Sequence, residues 1–157
     1  MSDPSSGPPT MPSVHVSDEA GQLIVVTFDG IMREANPSEW FVPIIRSVHS
    51  RAVAQGSSDV ALDIRRVTYA NAAAWKCFVF WLKTMREDAR ARYCLCIRCE
   101  EAHQWQEIGM PALRAFGGHR LVIEFYRDGQ LVRTSGTGLG VAEKSGELRK
   151  GERRGKS

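Results

Sequence analysis

Residues 60–82 read VALDIRRVTYANAAAWKCFVFWL, and within them the chain changes period from 2 to 3.6. In the first part Val60, Leu62 and Ile64 share one face of an extended chain, with Asp63 on the other, beside Arg65 and Arg66. The last part runs at helical spacing and predicts a helix over about 74–90. With Trp75 as origin and ~100° per residue, Phe78, Val79, Leu82, Met85 and Ala89 fall in one arc with it. Lys76, Lys83, Thr84, Glu87 and Asp88 fall opposite. Phe80 and Cys77 land inside the polar arc and Trp81 on its flank, so one sheet does not cover every aromatic ring of this helix. Between the two periods stand Asn71 and the alanines 72–74, with no hydroxyl, no glycine and no charge. Strand-to-helix junctions often carry chemistry, and this one is bare.

The same alternation extends outward. Upstream, two short strands at roughly 14–17 and 22–28 flank a turn, and Ile24, Val26 and Phe28 share a face. Asn36, Pro37 and Glu39 read as cap, first helical position and capping box. Phe41, Ile44, Ile45, Val48 and Ala52 then repeat at helical spacing until Gly56, with Pro43 either bending this helix or marking its regular start. Downstream, RYCLCIRC is a strand and AHQWQEIGMPALRAFGG a helix. Its expected apolar stripe is Trp105, Ile108, Ala112, Leu113 and Phe116, closed by Gly117 and weakened at Gly109 and Pro111. A hairpin turning at Asp128 and Gly129 follows. The order ββ-α-β-α-β-α-β(β) predicts an α/β fold with a mixed, largely parallel sheet of five to six strands. About three helices pack mainly on one face, because right-handed crossovers put successive helices together unless the strand order reverses.

The chain has 157 residues, 43% of them hydrophobic and 25% charged, which fits one domain with a real core. Residues 1–13, rich in Pro, Ser and Gly, are expected to be a disordered leader, 14–135 the domain, and 136–157 a flexible Gly-rich and basic tail. Residues 141–157 hold six Lys/Arg and three Asp/Glu, which accounts for the whole net charge of +3 and leaves the remainder neutral. That footprint is too small to imply nucleic acid. No apolar run reaches the ~18 residues of a membrane span, and the start lacks the pattern of a signal peptide, so the expected location is cytoplasmic.

Enzyme chemistry finds little support. Cys94, Cys96, Cys99 and His103 form C-x-C-x2-C-x3-H, a possible zinc or redox set. However, an alternating strand spaces Cys94 and Cys96 by about 6.5–7 Å, awkward for one metal, so these cysteines are better read as small hydrophobes. The glycines of residues 135–140 lack the Lys-Ser/Thr of a phosphate loop. His15, His49, His103 and His119 sit on different elements, with no pattern joining them to a nucleophile. Asp63 reads as one half of an ion pair.

Strand and junction together resemble the central segment of STAS domains, the fold of bacterial anti-sigma-factor antagonists and of the cytoplasmic ends of sulphate transporters. There a φ-φ-φ-D-φ strand runs into D-S-[ST]-G-φ and a helix. Asp63 matches the strand aspartate, Asn71 the acidic position, and Trp75 the apolar residue opening the helix. Ala72 and Ala73 stand at the hydroxyl positions and Ala74 at the glycine. A subgroup of STAS-like regulators is similar in having Asn before the serines and a later Gln-Trp-Gln, here Gln104, Trp105 and Gln106.

The resemblance, spanning roughly residues 20–130, implies a non-catalytic regulator without a cofactor. Its partner would be a signalling protein such as a switch kinase or serine phosphatase, and it could also form a homodimer. Family members are switched by phosphate on the loop serine; Ala72 and Ala73 cannot take it, and Thr68 is the nearest substitute phosphosite. The expected partner-binding residues are Asn71, Ala72, Ala73, Ala74, Trp75, Lys76, Phe80 and Trp81. The competing expectation is a small-ligand or nucleotide sensor using residues 71–76, where free N–H groups at the helix start would attract an anion.

Overall fold

A computed structural model describes residues 11–135; the first ten residues of the expected leader and the tail from 136 onward lie outside the described residues. Alternating apolar residues build six strands: β1 (Ser13–Glu19), β2 (Leu23–Met32), β3 (Asp59–Ala70), β4 (Cys94–Glu100), β5 (Leu121–Arg127) and β6 (Gln130–Ser135). They form one sheet in chain order, β1-β2-β3-β4-β5-β6. The pairs β2/β3, β3/β4 and β4/β5 are parallel, and the two hairpin pairs at the edges are antiparallel. Because the order never reverses, every crossover lays its helix on the same face. The core therefore has one sheet face in it, drawn from Ile24, Val26, Phe28, Leu62, Ile97 and Ile123 among others.

Four helices connect the strands: α1 (Ser38–Gln55), α2 (Ala72–Glu87), α3 (Trp105–Ile108) and α4 (Met110–Gly117). The leader's expected end moves, because Pro12 is already buried and β1 starts at Ser13. In α1 the capping box is only partial. The N-cap position is Pro37, without a side-chain bond; the Asn36 amide donates to the Glu39 carboxylate at 3.1 Å and its oxygen accepts the Ser38 hydroxyl at 2.6 Å in place of a backbone N–H. Gly56 does close α1 in the left-handed conformation, φ 64°, its N–H reaching the Ala52 and Val53 carbonyls.

Two expectations about helix faces are corrected. The buried stripe of α2 is Ala74, Cys77, Phe78, Trp81, Leu82 and Met85, not an arc centred on Trp75. The helix meets the sheet below and is flanked by α1 on one side and α4 on the other, so three neighbours bury a wider band than one sheet would. Trp75 and Val79 are half-buried against this core. The single bent helix expected after β4 is two helices broken at Gly109, and the break rotates the second one. Gln106, Met110 and Leu113 face inward, leaving Ile108 and Phe116 exposed.

Candidate functional site

The junction is set by Asn71. Its side-chain oxygen accepts the Ala74 N–H at 2.9 Å, its amide donates to the Glu34 carbonyl at 2.8 Å, and its backbone N–H reaches the Met32 carbonyl at 3.0 Å. One residue thus caps α2 and ties it to the segment leaving β2. Strand β3 runs on to Ala70 and α2 begins at Ala72. The alanines are the first turn of the helix, not a loop, as their high helix propensity favours. Ala72 is exposed, Ala73 intermediate, and Ala74 is sealed in the core.

Gln106 holds the other side of the same edge. β3 pairs with β4 only as far as Asp63, and beyond it the two strands part. Gln106 fills the gap: its amide donates to the carbonyls of Ile64 (2.9 Å) and Val67 (3.2 Å), and its oxygen accepts the Glu100 N–H at 2.8 Å. This brace was invisible in periodicity, because its partners depend on where two strands diverge. The one available signal was its place in Gln-Trp-Gln. Next to it the Trp105 ring lies tilted at 57° to that of Trp75, ring centroids 6.0 Å apart, and Gly109 lies so close to the Trp75 indole that an added Cβ would sit 2.5 Å from the ring. His103 lies 6.5 Å from the Trp105 ring centroid.

Of the residues expected to meet a partner, the structure brings Ala72, Lys76 and Phe80 to the surface as one exposed line along α2, continued by Lys83. Asn71, Ala73 and Trp75 border it, half-buried. Trp81 and Ala74 do not belong to it. Trp81 is fully enclosed, its indole N–H donating to the Tyr93 hydroxyl at 3.1 Å, and Ala74 has no exposed surface. Beside the line, Phe116 of α4 is about as open as Phe80, 37% against 36%. Lys83 lies over its ring at 5.5 Å, and Arg86 donates to its carbonyl at 2.9 Å. Thr68 is exposed, and its hydroxyl donates to the Gly30 carbonyl at 3.3 Å.

The remaining chemistry is internal. Burial pushes the Asp63 carboxyl up, but the side-chain and backbone bonds from Arg65 outweigh it and hold the pKa below the ordinary 3.8. Cys99 lies in the core with Leu95 and Ile97, and burial pushes its thiol up to about 12. Cys94 and Cys96 point to the opposite sheet face, so the three thiols do not converge. Cys96 donates to the Glu124 carboxylate at 2.7 Å. Among the described residues no group of three or more His, Cys, Asp or Glu is placed to hold a metal, and no helix is long and apolar enough to cross a membrane.

No protein-family model matches the chain, and no curated protein matches it in sequence. Solved structures do. One is the diguanylate cyclase SiaD in complex with its activator SiaC from Pseudomonas aeruginosa, with a TM-score of 0.56 and 20% identity over 76% of this chain and 96% of the other. The second is an anti-sigma factor antagonist from Mycobacterium paratuberculosis, with a TM-score of 0.51 and 14% identity over 70% of this chain and 86% of that one. The chain therefore has the STAS fold, a mixed α/β sheet roofed by helices.

Proposed function

We propose that the chain is a non-catalytic regulatory module that binds a signalling protein through the outer face of α2, with no phosphate switch at the junction. The observation that carries this reading is the exposed line of Ala72, Lys76, Phe80 and Lys83, starting at the end of β3 where Asn71 fixes the helix. Phe80 is an aromatic ring about one-third exposed among charged residues, and aromatic residues are enriched in contact surfaces. The structural neighbours fit this: SiaC is an activator found in complex with a diguanylate cyclase, and the other is an anti-sigma factor antagonist. A switch kinase, a serine phosphatase or a cyclase is the kind of partner meant. The reading excludes control by phosphate on Ala72 or Ala73, which have no hydroxyl.

The test compares the wild-type chain with Phe80→Asp as baits in cells of its native host. The variant keeps its melting temperature within a few degrees, because the ring is partly exposed, and it loses the partner. Equal recovery of the same partner by both baits removes α2 from the interface.

A further inference from the structure

The partner reading leaves open what kind of surface α2 receives, and the charges around Phe80 answer that. Helices α2 and α4 together carry Lys76, Lys83, Arg86 and Arg114 against a single acidic residue, Glu87. Among the described residues, none of these four cations forms an ion pair with a carboxylate. Elsewhere many carboxylates are matched: Asp18, Asp29, Asp63, Asp88, Glu101 and Glu107 are each paired with an arginine of this chain. The first turn of α2 also lacks the acidic residue that would offset the partial positive charge of a helix start. Among the described residues Arg33, Arg46, Arg92 and Arg120 also lack a carboxylate partner, but on α2 the unmatched cations stand beside open rings: Lys76 and Lys83 lie one turn either side of Phe80, and Lys83 and Arg86 contact Phe116.

Resting on the partner-binding reading above, we infer that the occupant of this roof is an acidic segment of a different protein that presents an apolar side chain. The apolar group seats against Phe80 and Phe116, while surrounding Asp and Glu carboxylates meet Lys76, Lys83 and Arg86. A second copy of this chain fits less well, since Asp18, Asp29, Asp63, Asp88, Glu101, Glu107 and Glu124 are already paired with arginines. A uniformly anionic surface would satisfy the cations but give the rings no reason to stay open.

A zero-length carbodiimide coupling, which joins a lysine amine only to a carboxylate in direct contact, tests this with the full chain in extracts of its native host. Lys76 and Lys83 are expected to couple to Asp or Glu within one recurring segment of another protein. The exposed-site double variant Lys76→Glu/Lys83→Glu is expected to bind that protein on the order of tenfold more weakly at low salt, with the gap closing as salt is raised. Coupling of these lysines only to carboxylates of a second copy, detected with mixed isotope-labelled chains, overturns the inference. So does loss of binding to phosphatidylglycerol vesicles or duplex DNA in the double variant, with no coupling to protein. Should the double variant bind as well as wild type while Phe80→Asp does not, the acidic occupant is wrong and the partner site stands. Should neither change weaken binding, both fall.

Discussion

At the scale of single residues, two amides hold the edge from which α2 starts. Asn71→Ala removes the cap on the Ala74 N–H and the tie to the Glu34 carbonyl, and is expected to cost about 1–2 kcal/mol. Asn71→Asp keeps the accepting oxygen and loses only the donated bond, so its cost is smaller. Urea titration of the three proteins gives the order wild type, Asp, Ala; equal midpoints would show that the cap is idle. Gln106→Met strips three bonds and leaves the Ile64 and Val67 carbonyls and the Glu100 N–H buried without partners, a loss of about 2–3 kcal/mol or more. Asn71 was singled out in the sequence through the family resemblance, as a partner-binding residue and not as the helix cap that it is. The helix start was not legible either: it comes two residues earlier than the aromatic spacing indicates, since alanine carries no periodicity of its own. Gln106 could not be read as buried at all, because its environment is made by β3 and β4 separating in space.

At the scale of the element, α2 shows why spacing alone misplaces a face. The sequence correctly makes it a helix with more apolar surface than one sheet can cover, and correctly leaves Phe80 outside. It misses that α2 packs against both α1 and α4, and that Trp81 and Cys77 are buried. The two neighbouring rings therefore have opposite predicted behaviour. Trp81→Ala opens a cavity and loses the bond to Tyr93, costing about 3–5 kcal/mol, whereas Phe80→Ala costs under about 1 kcal/mol. Chemical denaturation separates them; similar losses would mean Phe80 is core. The break at Gly109 is the other feature that the residue pattern blurred. A methyl there meets the Trp75 ring at 2.5 Å, so Gly109→Ala is expected to destabilise by about 1–3 kcal/mol and to shift tryptophan fluorescence as the indole moves.

At the scale of the molecule, strict chain order among the described strands means that the sheet has no reversal point there, the place where open α/β sheets usually hold small ligands. The alternation of strands and helices made that architecture legible, along with the common face of the helices. The opposite edge is closed by a buried network: His49 bonds the Tyr93 hydroxyl at 2.7 Å and Asp88 at 2.9 Å, joining α1 to the far end of α2. Burial pushes the Tyr93 phenol from 10.0 up to about 12. The folded chain thus holds that proton more tightly than the unfolded one. Its contribution to stability is complete below about pH 10 and is lost as the pH rises through about 12. Burial also pushes the Tyr126 phenol up, so absorbance at 295 nm during an alkaline titration is expected to show Tyr93 ionising last, together with unfolding; Tyr93 ionising near pH 10 in a folded chain, identified by its loss in Tyr93→Phe, would contradict the network.

The open face of α2 is what the functional account depends on, and hydroxyl-radical footprinting of the captured complex examines it directly. Compared with the free chain, oxidation of Phe80 and Phe116 should fall several-fold on partner binding, while Leu131 and Val132 on the outer strand β6 stay as reactive as before. Protection of Leu131 and Val132 with Phe80 unchanged would place the partner on the sheet edge and contradict the account.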